Sequence, residues 1–313
     1  MRRHSQERTG RALAILAFGA LCISFAAVFV TLLGAGRLGP GAIAFWRTFF
    51  GAGILFVWAA LAGHRLGLPW ALKRWTILAG VLFAGDLFVW HRSVLLVGVG
   101  MSTIFANTQV FGTAVLSYFI FRERLTLGFF AAAAGAILGL ILLIGVGSDI
   151  AFTAPYLRGV LLGLLTAVFY AHYIVTIKIA GQREGPPPSF ITLMAWVSSA
   201  AAFFLLIASL LYERHEFFPP DWTSVGILVL LALVAQALGW WAISQALPRL
   251  DAHRSGLALL LQPVLAAVWG ALFFAERLTP LQTLGAAITL LGIYLGTVRR
   301  PAGQQSRTTP AGT

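Results

Sequence analysis

Apolar residues run along this chain in blocks of roughly 20, separated by short connectors carrying Arg, Gly and Pro. A helix needs about 20 apolar residues to cross about 30 Å of hydrocarbon, so each block predicts one membrane span. The windows fall near 12–33, 41–62, 76–97, 101–121 and 127–146, then near 159–180, 190–211, 223–247, 255–275 and 280–298. The pattern therefore predicts an all-α polytopic membrane protein with ten transmembrane helices. The segment from Met1 to Arg11 is basic, as at the start of a signal peptide. Ala12 to Leu33 is too long for the apolar core of one and lacks a convincing cleavage site, so it reads as a retained first span. The polar stretch 299–313 reads as a disordered tail.

Composition strengthens this reading. The chain is 59% hydrophobic and 10% charged, against roughly 25% charged in an average soluble domain. So little charge does not cover a water-soluble fold. The net charge of +12 sits in short connectors, with no basic stripe interleaved with aromatics, which argues against nucleic acid as a partner. Lys and Arg near span ends favour the cytoplasm. Of the 22 basic residues, only Arg37, Arg158, Arg214 and Arg277 fall in connectors on one side, and Arg47 and Arg92 fall within spans. All the others lie on the side of the termini, which predicts cytoplasmic termini. Trp58, Trp70 and Trp75 at one set of span ends, with Tyr156, Tyr212 and Trp222 at the other, form the expected aromatic belts against membrane lipid. The single cysteine, Cys22, excludes an intrachain disulfide.

An internal repeat adds direction. Phe121-Arg122-Glu123-Arg124-Leu125-Thr126 matches Phe274-Ala275-Glu276-Arg277-Leu278-Thr279 at five of six positions, at an offset of 153. The same offset aligns Ser102 with Ser255, Gln109 with Gln262 and Gly139 with Gly292, and Arg11 and Gly34 share the spacing of Arg158 and Gly181. The division is a short tail (1–10), a first repeat (11–147), a second repeat (158–298) and a C-terminal tail (299–313). Each repeat has five spans, an odd number, so the two start on opposite sides and are inverted. Inverted repeats around an in-plane pseudo-two-fold axis are an architecture of secondary transporters, with a site near the midplane.

The ten spans, the paired F-x-E-R-L-T ends and the stretch from Gly85 to Ile144 resemble the EamA-type branch of the drug/metabolite transporter superfamily. The resemblance covers almost the whole chain outside the tails. It implies a bacterial inner-membrane carrier of small metabolites such as amino acids, sugars, nucleosides or vitamins, without choosing among them.

Asp86 lies near the centre of the third span, where a charged side chain costs on the order of 2.5 to 3.5 kcal/mol on insertion scales. Trp90 and Ser93 share its helix face. One reading makes Asp86 a proton relay or the counter-charge of a substrate amine; the other makes it half of a structural ion pair with Arg47 or Arg92. The fourth span carries a stripe of Ser102, Ala106, Gln109, Thr113 and Ser117, and its mates in the ninth include Gln262. These stripes predict a shared cavity with Gln109 and Gln262 on opposite sides of the midplane, or tight packing by small residues. Pro263 predicts a kink and a freed carbonyl. Tyr170, His172 and Tyr173 in the sixth span and Trp240 in the eighth suit a pocket for a modest organic solute. Glu123 and Glu276, at span ends, read as helix-linking residues, and Lys178 as an anchor reaching the headgroups.

The substrate-binding candidates are thus Asp86, Trp90, Ser93, Gln109, Gln262, Tyr170, His172, Tyr173, Trp240 and Arg47, with no cofactor and no metal. Gly135-x-x-x-Gly139 and Gly292-x-x-x-Gly296 fit internal packing or a homodimer. There is no H-E-x-x-H, no paired acidic site and no Ser or Cys with a base, which argues against a membrane-embedded enzyme. A secondary active carrier, exporting a small metabolite such as an amino acid and possibly coupled to protons, is the leading expectation; uptake or uniport is the alternative.

Overall fold

The computed structural model describes residues 2–34, 38–123, 125–144, 153–182, 189–274 and 279–297. The tail 299–313, Glu276 and Arg37 lie outside them. Every regular element among the described residues is helical. The elements are α1 (Arg2–Ser24), α2 (Ala26–Gly34), α3 (Pro40–Leu61), α4 (Trp70–Asn107), α5 (Gln109–Phe121), α6 (Leu127–Ile144) and α7 (Ala154–Gly181). They continue with α8 (Phe190–Tyr212), α9 (Trp222–Leu231), α10 (Trp240–Ala246), α11 (Ala252–Ala258), α12 (Leu261–Phe274) and α13 (Pro280–Thr297). Among the described residues, six helical segments are long and apolar enough to cross a membrane, and 105–121, 127–142 and 283–296 are shorter apolar helices.

Several predicted spans are built differently from simple rods. The third and fourth share one unbroken run of helical backbone, α4, of 38 residues. Straight, it would measure about 57 Å. It is not straight: a Cβ placed on Gly163 of α7 would lie 3.0 Å from Ser93 Oγ and 2.8 Å from Phe105 Cβ. Twelve residues of straight helix would separate those two by about 18 Å. The chain therefore turns back on itself between them, across Gly98 and Gly100, and two antiparallel crossings result. Glycine pairs are among the usual sites of sharp helix bends.

The fourth span is interrupted again at Thr108, whose Oγ1 donates to the Phe105 carbonyl at 2.6 Å in competition with the helical ladder. The ninth is interrupted at Leu259 and Leu260, between α11 and α12. Pro263 has no N–H to give the Leu259 carbonyl, which takes the Gln262 N–H instead at 3.0 Å. The offset of 153 maps Thr108 onto Leu261, so the ninth-span break falls one to two residues ahead of the position equivalent to the first. The first span breaks at Phe25, where the ring stacks on Trp269 with centroids 4.4 Å apart. The eighth is π-helical from Ala232 to Gly239, a form often found at functional sites.

Packing follows the repeat. α6 lies against its mate α13, and α3 against its mate α8. Both pairs run antiparallel. Gly139 abuts Gly285 and Thr289, while Gly292 abuts Ala132 and Ala136, a register only opposed helices give. Likewise Gly41 meets Glu213 at one end of α3 and Phe56 meets Trp196 at the other. Mates that meet antiparallel place a two-fold axis in the membrane plane, which is the inversion. The glycines matter here because a Cβ on Gly139 would come within 2.6 Å of the Gly285 carbonyl oxygen. The main core joins both repeats, from Leu16 of α1 through Phe83 of α4 and Tyr173 of α7 to Leu259.

Candidate functional site

Helix α4 presents Phe83, Asp86, Leu87 and Trp90 along one face, because positions three and four apart stack on a helix. That face meets Thr166 and Tyr170, four apart on α7, Arg47 of α3, Trp240 of α10, and Gln262 and Pro263 of α12. Between them is a cavity of about 120 Å³, closed further by Ser24 and Ala26 beside the first-span break and by Asn107 beside the fourth. It thus sits where three helices are discontinuous, a construction used by carriers to expose backbone groups at mid-depth. Sites for drug-sized ligands measure roughly 300–1,000 Å³, so this one suits a solute of few heavy atoms.

The charges inside it are unusual. Asp86 is 8% exposed and Arg47 3%. Among the described residues Asp86 makes no hydrogen bond and no ion pair, and its Oδ1 is sealed without a partner. Arg47 is near enough for the two charges to attract. Its Nε, however, donates to Gln236 Oε1 at 3.2 Å, and Gln236 Nε2 in turn donates to Ser198 Oγ at 2.9 Å. The guanidinium lies 6.0 Å from the Phe83 ring centroid. Arg92, the rival partner, is taken up elsewhere: its Nη2 reaches Glu213 Oε1 at 2.7 Å. Glu213 Oε2 also accepts the N–H groups of Gly41 and Ala42 at 2.6 and 3.0 Å, capping α3. The ion-pair reading of Asp86 thus finds no pair. What remains is a buried carboxylate beside a buried guanidinium, with room between helices for a third party. Gln262 Nε2 donates to the Tyr170 hydroxyl at 3.1 Å on the same wall.

Six of the ten sequence candidates, Asp86, Arg47, Trp90, Tyr170, Trp240 and Gln262, line the cavity. The other four do not. Ser93 Oγ donates to the Gly159 carbonyl at 2.8 Å, fastening α4 to α7. Gln109 is spent on packing, with Nε2 on the Gly256 carbonyl at 3.0 Å and Oε1 accepting from Thr113 at 2.8 Å. The two glutamines, equivalent by sequence, thus separate into a packing residue and a cavity residue. Tyr173 is fully buried behind the wall, stacked on Phe83 at 4.9 Å and edge-on to Trp240 at 4.8 Å. His172 is exposed on the outer surface of α7, its Nδ1 at 2.8 Å from the Val168 carbonyl. Two residues, about 200° around the helix, put His172 on the side away from Tyr170 and the cavity.

The matched ends of the repeats also find their place in comparison with known proteins. The profile of the EamA-like transporter family matches residues 10–145 and again 157–298. The chain belongs to the EamA-like transporter family. Among relatives, a protein of Salmonella typhimurium named probable amino-acid metabolite efflux pump is 31% identical over 65% of this chain and 70% of its own. The threonine/homoserine exporter RhtA of Escherichia coli is 28% identical over 70% of this chain and 72% of its own. A protein of known crystal structure superposes with a TM-score of 0.78 at 19% identity, over 92% of this chain and 96% of that one, a likeness of fold. The chain is therefore a multi-pass membrane transporter and not an enzyme.

For this EamA-like transporter, sequence reasoning passed over Asn107, Thr166 and Ser24. Thr166 had a signal, lying four residues before Tyr170 on one face. Asn107 and Ser24 had none, because they reach the cavity through helix breaks that no periodicity announces. A larger groove of about 1070 Å³ runs along α3 and α8, lined by Phe45, Phe49, Phe56, Val57 and Phe203. It is almost wholly apolar and on the lipid side, so it offers nothing to a charged solute. Lys178 is no headgroup anchor: it is buried, with Nζ on Glu123 Oε1 at 2.7 Å.

Proposed function

We propose that this transporter exports a small zwitterionic metabolite of the amino-acid class across the bacterial cytoplasmic membrane by alternating access. The observation that carries the proposal is that Asp86, without a hydrogen-bond or ion-pair partner among the described residues, and Arg47 line one small cavity. An α-amino acid brings an ammonium and a carboxylate a few ångströms apart. The ammonium takes the Asp86 carboxylate and the carboxylate takes the terminal nitrogens of Arg47, so each buried charge receives the partner the protein withholds. The small volume and the aromatic walls of Trp90, Tyr170 and Trp240 suit one residue-sized solute. The names of the efflux-pump and threonine/homoserine relatives support the same class and the outward direction. The excess of Arg on the side of the termini supports placing that side in the cytoplasm.

Asp86 is also the group we assign to a coupling proton. If ammonium and proton occupy the same carboxylate in turn, each outward passage of substrate is matched by an inward proton. Counterflow in proteoliposomes tests both ideas. A neutral amino acid should exchange, while the same compound lacking its amine or its carboxyl should not. Asp86→Asn should lower exchange by about 100-fold, the worth of a charge-assisted hydrogen bond of about 3 kcal/mol, and an imposed pH gradient should drive accumulation in the wild type. Exchange by Asp86→Asn at the wild-type rate would sink the assignment.

A further inference from the structure

The glutamate of the first repeated hexapeptide is bound to more than its own connector. Glu123 follows α5, in the first repeat, yet among the described residues each partner of its carboxylate is in the second. Its Oε1 accepts from Lys178 Nζ of α7 at 2.7 Å and from the Ala252 N–H at 2.9 Å. Its Oε2 lies 2.7 Å from His253 Nδ1 and 3.4 Å from the His253 N–H, at the start of α11. Lys178 Nζ also donates to the Leu250 carbonyl, and the His253 ring is edge-on to Phe129 of α6 at 4.9 Å. The cluster is on the face where α1 begins, since Thr9 and Arg11 share a surface pocket with Gln245 and Arg249. Asp251 and Arg254 beside it pair with each other at 3.2 Å.

We propose that Glu123, Lys178 and His253 form the gate of the terminal face, a latch between repeats that must open for the cavity to meet that side. The sequence repeats only the glutamate of the latch, as Glu276, and neither of its cationic partners. By the repeat offsets the mate of Lys178 is Thr31 and the mate of His253 is Gly100. The other face is tied by Arg92 and Glu213 at 2.7 Å, so the lysine–histidine clasp on a glutamate is particular to the terminal face. Glu123 is a positioning residue here; it lies away from the cavity and touches no substrate. The proposal rests on the alternating-access reading.

The test reads accessibility instead of transport, so it stands or falls apart from substrate identity. Cys22→Ser removes the single thiol. Ser255→Cys then reports on the terminal face and Ser209→Cys on the other; both serines are fully buried. With a hydrophilic maleimide, Glu123→Gln should raise labelling of the Ser255→Cys site about tenfold and leave the Ser209→Cys site unchanged or slower. His253→Gln, removing one arm, should give a smaller rise in the same direction. Unchanged labelling of the Ser255→Cys site in both variants would overturn the gate. So would an equal rise at both reporters, because Glu123 would then hold the fold as a whole.

Discussion

Two carboxylates, Asp86 buried and Glu123 largely enclosed, divide this molecule between them. Glu123 at the terminal face is surrounded by donors: a lysine, a histidine and two backbone N–H groups. Asp86, deep in the membrane, has none among the described residues, and one of its oxygens is sealed. Burial alone would push the Glu123 carboxyl up, but the bonds from His253, Lys178 and the Ala252 N–H outweigh it and hold it at about 2. A satisfied buried carboxylate organises the chain around it. An unsatisfied one is expensive to keep, and its cost is recovered only when something arrives. The two sites thus have opposite relations to stability, and that difference separates scaffold from site better than burial or charge does.

The largest effect should come from breaking the satisfied member. Glu123→Gln leaves Lys178 buried without its counter-ion, and removing one partner of such a pair costs about 3–5 kcal/mol. Thermal unfolding in detergent should show a clear drop. Asp86→Asn should do the reverse in kind: exchange falls about 100-fold while the unfolding temperature stays level or rises, because an uncompensated charge is removed. If Asp86→Asn unfolds as easily as Glu123→Gln, Asp86 has a structural partner after all and the contrast is broken.

Acid sharpens the same contrast. A carboxylate held at about 2 in the fold, against an ordinary value of 4.5, stabilises fully above about pH 4.5 and loses that contribution as the pH falls towards 2. Lys178 and His253 are the titratable groups facing it. In a His253→Gln background, the stability difference made by adding Glu123→Gln should be flat from pH 8 to about 4.5. It should shrink below that. A difference that shrinks already between pH 7 and 5 would mean that the remaining latch bonds do not hold the carboxylate low.

How far the sequence discloses this can be argued residue by residue. Span positions follow from the length of apolar blocks, and inversion from an odd number of spans per repeat, because the bilayer leaves the backbone few options. Asp86 declares itself by the expense of its depth. The bend in α4 does not, since helical hydrogen bonding continues through it and only contacts to Gly159 and Gly163 of α7 reveal it. The fate of the glutamines was equally hidden: Gln109 and Gln262 are equal by repeat, and what separates them is Pro263, which displaces the second break. Glu123 read as a linker because its partners are 55 to 130 residues away, beyond any local pattern.

His172 offers the smallest effect and the finest test of the contrast. It lies in the membrane-spanning α7, two residues from Tyr170, and by type it is as eligible for chemistry as Asp86. Position alone separates them: the cavity takes Thr166 and Tyr170, while His172 faces outward and is tied to its own helix through the Val168 carbonyl. Substitutions away from cores and buried networks usually stay within about 0.5 kcal/mol. His172→Ala should therefore leave exchange within about twofold and leave the response to a pH gradient unchanged. A loss of gradient-driven accumulation in this variant would move the proton from the cavity to the lipid side of α7, and Asp86 would keep only the ammonium.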